Sequence, residues 1–163
     1  MRKSDSEFEA RVIANVEHHG CSINVVIDSD GHDPSFAYSI GFPKSIGQPE
    51  VIVFGLSSSL MQSMINETHR QCAEAGLVIK EGAVVSELLD GFDCVLREVP
   101  KGRIDVEHFN SAMWYRRAIM GEKMDRVFQI FWPGAADGLL PWEQSADPYV
   151  IGLQSELLED LRT

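Results

Sequence analysis

Residues 35–56 constrain the fold of this chain more than any other stretch. They read SFAYSIGF, then PKSIGQ, then PEVIVFGL: an alternating apolar run, a segment of turn formers and a continuous apolar run. Alternation places Phe36, Tyr38 and Ile40 on one face of a strand over 35–41. The strand over 50–55 is apolar on both faces and therefore reads as central in its sheet. So short a link predicts an antiparallel hairpin, because a parallel pair needs a crossover of a dozen or more residues. Gly41 and Pro43 then shape the turn, and Glu50 stands at its mouth close to Phe42.

The remaining elements follow from periodicity and punctuation. Phe8, Val12 and Val16 recur every four residues, with Ile13 beside them, and predict an amphipathic helix over 4–19. A strand over 21–28 turns Cys21, Ile23, Val25 and Ile27 one way, and a polar loop over 28–34 follows. The strongest helix signal covers 57–75, with a serine cluster at its start, the stripe Leu60, Met61, Met64, Ile65, and Gly76 at its end. Segments 83–89 and 92–99 flank Asp90-Gly91, a pair suited to a tight hairpin turn. A helix over 107–120, built on Phe109, Ala112 and Met113, ends at Gly121, and a strand over 126–132 ends at Pro133. A short helix is expected over about 153–161.

No linker or repeat divides the 163 residues, which suit a single domain over 1–163. The expected fold is α+β: a mostly antiparallel sheet of five or six strands with helices packed mainly on one face. The helices beginning near Ser57 and Glu107 would share that face, and the N-terminal helix would lie at an edge.

Charge narrows the classes of partner. With 25 acidic against 14 basic residues the net charge is -11, which repels nucleic-acid backbones and suits a basic protein partner. Cys21, Cys72 and Cys94 are odd in number and far apart, so neither a disulfide framework nor a thiolate zinc site is expected. The two basic residues at the N-terminus precede no apolar segment of a signal peptide, and no run has membrane-spanning length. A cytoplasmic protein with no membrane association is the expectation.

Five phrases, His19-Gly20-Cys21, FAYSIGF, QPEVIVFGL, QIFWPGAADGLLPWE and the following Asp147-Pro148, resemble in this order the domain-of-unknown-function family number 4262. The resemblance runs over about 18–150, and it is the succession of the five phrases that makes it specific. Cys21 stands where the family usually has an aromatic after His-Gly, and Gln48 stands where a His often precedes Pro-Glu. The resemblance implies no reaction, substrate or cofactor.

Chemistry must therefore be sought in the residues themselves. Cys21 lies two residues from His19, but its alternation with Ile23 and Val25 marks it as a packed thiol. Asp28, Asp30, His32 and Asp33 resemble a calcium loop but lack its third acid and closing glutamate, and the histidines are dispersed, so no metal is expected. Ser57, Ser58 and Ser59 open a helix either as a plain cap or as an anion site. Tyr38, Phe42, Trp132 and Trp142, with Glu50 and Glu143 for orientation, suit either the core or a ligand pocket where the hairpin meets the Pro141-Trp142-Glu143 segment. A flat aromatic molecule such as flavin would stack in such a pocket, although no cofactor motif is present and none is expected.

Three functions remain open at this point. The first is an acidic interaction domain, inhibitory toward a basic partner. The second is a small-molecule or cofactor-binding domain with an aromatic pocket. The third is a hydrolase-like enzyme, for which His19, Glu50 and Glu143 are the weak catalytic candidates, without a complete constellation.

Overall fold

The computed structural model describes residues 3–158, with side chains from Ser6 onward. Among the described residues, twelve segments of regular structure make up the fold. Helix α1 (Lys3–His19) leads into strands β1 (Ser22–Val26) and β2 (Phe36–Ile40). A single-turn helix α2 (Phe42–Ile46) separates β2 from β3 (Glu50–Phe54), and helix α3 (Ser58–Glu74) follows. The hairpin β4 (Val84–Leu89) and β5 (Phe92–Glu98) is joined through a 3-10 turn (Lys101–Arg103) to helix α4 (Val106–Met120). Strand β6 (Val127–Phe131) and helix α5 (Pro148–Gln154) complete the chain.

The strands form one sheet in the order β1-β2-β3-β6-β5-β4. Four of the pairings are antiparallel, including the expected β2–β3 hairpin, in which Phe36 pairs with Phe54 and Tyr38 with Ile52. The pair β3–β6 is parallel, with Ile52 beside Gln129. The chain makes this pairing by crossing over through α3, the β4–β5 hairpin and α4 before returning to the middle of the sheet. The sheet is thus mixed and mostly antiparallel, in an α+β fold.

Both faces are covered, which corrects the expectation that helices pack mainly on one face. Val51 and Val53 of β3 and Phe128 and Ile130 of β6 join Met61, Met64 and Ile65 of α3 in one core. Ile52, Phe54 and Val127 join Val12 and Val16 of α1 and Phe109, Ala112 and Tyr115 of α4 in the other. The physical reason lies in the central strands, all five of whose residues are buried in both β3 and β6. A strand apolar on both sides needs cover on both, so α3 takes one face and α1 with α4 takes the other.

Two further boundaries differ. The link between β2 and β3 is a turn of helix rather than a loop, with Gly41 (φ 104) before it and Gly47 (φ 65) after it. A Cβ on Gly41 would lie 2.7 Å from Val16 Cγ2, so the bare glycine also lets α1 approach the turn. The last helix is Pro148–Gln154, capped by the Asp147 side chain on the Tyr149 N–H. It starts earlier than the expected 153–161 because Asp-Pro supplies a cap and an N-terminal proline together. Residues 155–158 are not helical, and 159–161 lie outside the described residues.

Candidate functional site

Most residues singled out by the sequence prove to hold the fold together. Glu50 is 3% exposed and ties the hairpin turn. Its Oε1 accepts from Ser39 Oγ at 2.7 Å and from the Phe42 N–H at 3.2 Å, and its Oε2 accepts from the Gly41 N–H at 2.7 Å. Ser39 Oγ in turn accepts the Val51 N–H at 2.9 Å. Burial pushes the Glu50 carboxyl up to about 7, against the opposing pull of these donors and of the Arg116 charge. The phrase SIGF and the Glu of PEVIV are thus two halves of one hydrogen-bonded knot.

The aromatic residues do not share a pocket. Tyr38 is buried on the α1/α4 face, where its hydroxyl accepts from Asn24 Nδ2 at 2.8 Å and from the Ser111 N–H at 3.1 Å. Phe42 and Trp132 belong to the core on the α3 side. Trp132 Nε1 donates to the Phe54 carbonyl at 2.8 Å, which stitches the ends of β6 and β3 together. Trp142 packs against Phe131 with ring centroids 5.3 Å apart, and the Arg97 guanidinium lies 5.0 Å from its ring centroid. Glu143 is exposed and accepts the Leu140 N–H of its own turn at 2.7 Å. The sheet itself separates Tyr38 from Trp132, which lie in the cores on its two faces.

The other candidates are likewise accounted for locally. His19 is exposed at the end of α1. Cys21 is buried, and burial followed by the nearby Glu50 charge pushes its thiol up to about 12, far from a reactive thiolate. Asp28 accepts N–H bonds from Asp30, His32 and Asp33, so its carboxylate organises its own loop and is held below the usual range by them. Ser57 accepts the Leu60 N–H at 3.3 Å as an ordinary helix cap. Gln48 Oε1 accepts the Ile79 N–H at 3.1 Å and so anchors the segment after α3. Ser45 Oγ lies 3.1 Å from His69 Nε2, and also 2.5 Å from the Gly20 carbonyl and 3.2 Å from the Gly41 carbonyl, either of which can accept its proton.

A different place gathers chemistry. A cleft of about 170 Å³ opens at the edge of the sheet on the α1/α4 face. It is walled by Val26, Asp28, Asp33 and Pro34, floored by Phe36 and Phe54, and closed by Glu107, His108 and Glu156. Asp105 stands beside the cleft and holds its histidine. As the cap of α4 it accepts the His108 N–H at 3.1 Å, and the same Oδ1 stands 3.0 Å from His108 Nδ1. A carboxylate only accepts, so Nδ1 carries the proton. Backbone at Phe109 leaves helical geometry (φ -129, ψ 23) directly after this turn.

His108 is only 5% exposed, and its ring centroid lies 5.4 Å from that of Phe36 and 6.2 Å from that of Phe54. Its Nε2 has Glu156 Oε1 at 3.7 Å, beyond hydrogen-bond distance. Arg103 donates to the Glu156 carbonyl at 2.8 Å and holds that segment against the cleft. Carboxylates crowd the walls, while among the described residues no lysine or arginine lines them.

Two other concavities carry less. One of about 610 Å³ lies over the exposed face of α3 and is open and lined by side chains of that helix alone. One of about 330 Å³ lies between the turn after β2 and the end of α4. Its Arg116 and Arg126 already pair with Glu122 at 2.6 Å and Glu98 at 3.2 Å.

The sequence reading missed His108, Glu107 and Glu156 because the cleft draws on four separated segments. The one local signal was Asp105 three residues before His108, a cap-and-N3 spacing at a helix start. No curated protein and no solved structure matches the chain. Residues 15–147 match the model of the family described as Domain of unknown function (DUF4262), which spans both the hairpin knot and the His108 turn, and the chain belongs to that family.

Proposed function

We propose that the protein is an interaction domain for a basic partner, and that a lysine or arginine side chain of that partner enters the cleft beside His108. The observation that carries this reading is the lining: Asp28, Asp33, Glu107 and Glu156 surround a pair of aromatic rings, with no lysine or arginine in the lining among the described residues. A cationic head would meet the carboxylates while its stem or guanidinium plane lies on Phe36 and Phe54. Size supports the same choice. At about 170 Å³ the cleft suits the end of one side chain, whereas sites for drug-sized ligands or flat cofactors span about 300–1,000 Å³. The net charge of -11 would steer a basic protein toward this surface.

A cytoplasmic setting fits the reading, since all three cysteines are free thiols and, among the described residues, no helix is long and apolar enough to cross a membrane. The test is fluorescence anisotropy with a labelled lysine- and arginine-rich peptide at two salt concentrations. Binding at low salt, weakened about tenfold or more by Glu107→Gln with Glu156→Gln, a loss of roughly 1.4 kcal/mol, is the expected result. Equal affinity in wild type and variant, or none in either, refutes the cleft as the binding site.

A further inference from the structure

We propose that Glu107, His108 and Glu156 form a site for a divalent first-row metal ion such as Zn²⁺ or Mn²⁺ in the cleft, with Asp105 as the outer carboxylate that orients the histidine. Asp105, Glu107 and His108 each place one ligand atom within 4.8 Å of the other two. Glu156 Oε1 adds a further oxygen 3.7 Å from His108 Nε2. Ligand atoms about 2.1 Å from a tetrahedral ion stand roughly 3.4 Å from one another, close to the 3.7 Å between His108 Nε2 and Glu156 Oε1.

The histidine distinguishes this cluster from a patch of surface acids. His108 is 5% exposed, yet its Nε2 has no hydrogen bond among the described residues and opens on the cleft. Its other nitrogen is engaged by Asp105 at 3.0 Å. That is the arrangement of a metal-binding imidazole, in which an outer carboxylate fixes the tautomer and presents the remaining lone pair. Glu107, exposed and without a hydrogen bond or ion pair among the described residues, supplies a ligand with no structural duty. Nitrogen and oxygen donors of this kind favour Zn²⁺ and Mn²⁺ over Ca²⁺, which takes six to eight oxygens. The inference departs from the sequence expectation of no metal, because Glu107-His108 at a helix start acquires its third member from residue 156.

The experiment is calorimetric titration of EDTA-stripped, dialysed protein with Zn²⁺ and with Mn²⁺, alongside the visible spectrum of the Co²⁺-loaded protein. One ion per chain with micromolar affinity is expected, weakened at least tenfold by Glu107→Gln and again by Glu156→Gln. The same substitutions should alter the Co²⁺ spectrum. No binding up to millimolar metal overturns the proposal. So does binding that neither substitution changes, since the ion then sits elsewhere, for example at the exposed His18-His19 pair. The anisotropy assay run in EDTA keeps the two proposals apart: peptide binding without metal binding sinks this one alone, and the converse sinks only the basic-partner reading.

Discussion

Three donors aimed at one carboxylate would ordinarily keep it ionised, yet Glu50 is buried deeply enough that desolvation outweighs them and its pKa is pushed up to about 7. A carboxyl whose folded pKa exceeds its unfolded value near 4.5 binds more protons in the folded state between those two values. Its contribution is therefore fully present below about pH 4.5 and is lost as pH rises through about 7, amounting to roughly 3 kcal/mol in all. Urea melts of wild type and Glu50→Gln between pH 5 and 8 should show this slope in the wild type alone. Parallel pH profiles for the two proteins would mean that Glu50 does not titrate in this range.

At the scale of elements, α3 carries the core on its side of the sheet through Met61, Met64 and Ile65, while Gln62 points to solvent. Met64→Ala or Ile65→Ala should cost about 2–5 kcal/mol in denaturant unfolding, and Gln62→Ala under about 0.5 kcal/mol. Gln62 is the proper surface control because Glu67, on the same helix, chelates the Arg70 guanidinium at 2.7 and 2.8 Å. Equal small losses on both faces would contradict the packing. This helix, the β2–β3 hairpin and the Asp90-Gly91 turn were legible in the sequence because each is written in neighbouring residues. The distribution of α3 and α4 over opposite faces was not, although the two-sided burial of Glu50–Phe54 already required it. The parallel β3–β6 pair depends on a long excursion of chain that no local pattern encodes. Tyr38, Trp132 and Trp142 suit either the core or a pocket by sequence, and each one packs or hydrogen-bonds within the framework. His108 went unread because its neighbours come from residues 26–36, 54 and 156.

Over the whole molecule the two sides of the sheet have different tasks. The α3 side is closed by methionines and branched aliphatics, and the family-like phrases fasten it to the opposite side through Glu50 and Trp132. The α1/α4 side holds the His108 cleft at its margin, where carboxylates from the loop after β1, from α4 and from the segment after α5 converge. In a chain with a net charge of -11 that convergence sets one place apart for a positively charged group. The claim is tested most directly by nitrogen-15 NMR of the labelled protein titrated with a short arginine-rich peptide. The account predicts amide shifts concentrated at Asp28, Asp33, Phe36, Glu107, His108 and Glu156, saturating together and lost in the Glu107→Gln, Glu156→Gln protein. Shifts spread over the acidic surface, or centred on the exposed face of α3 around Gln62 and Asn66, would contradict it.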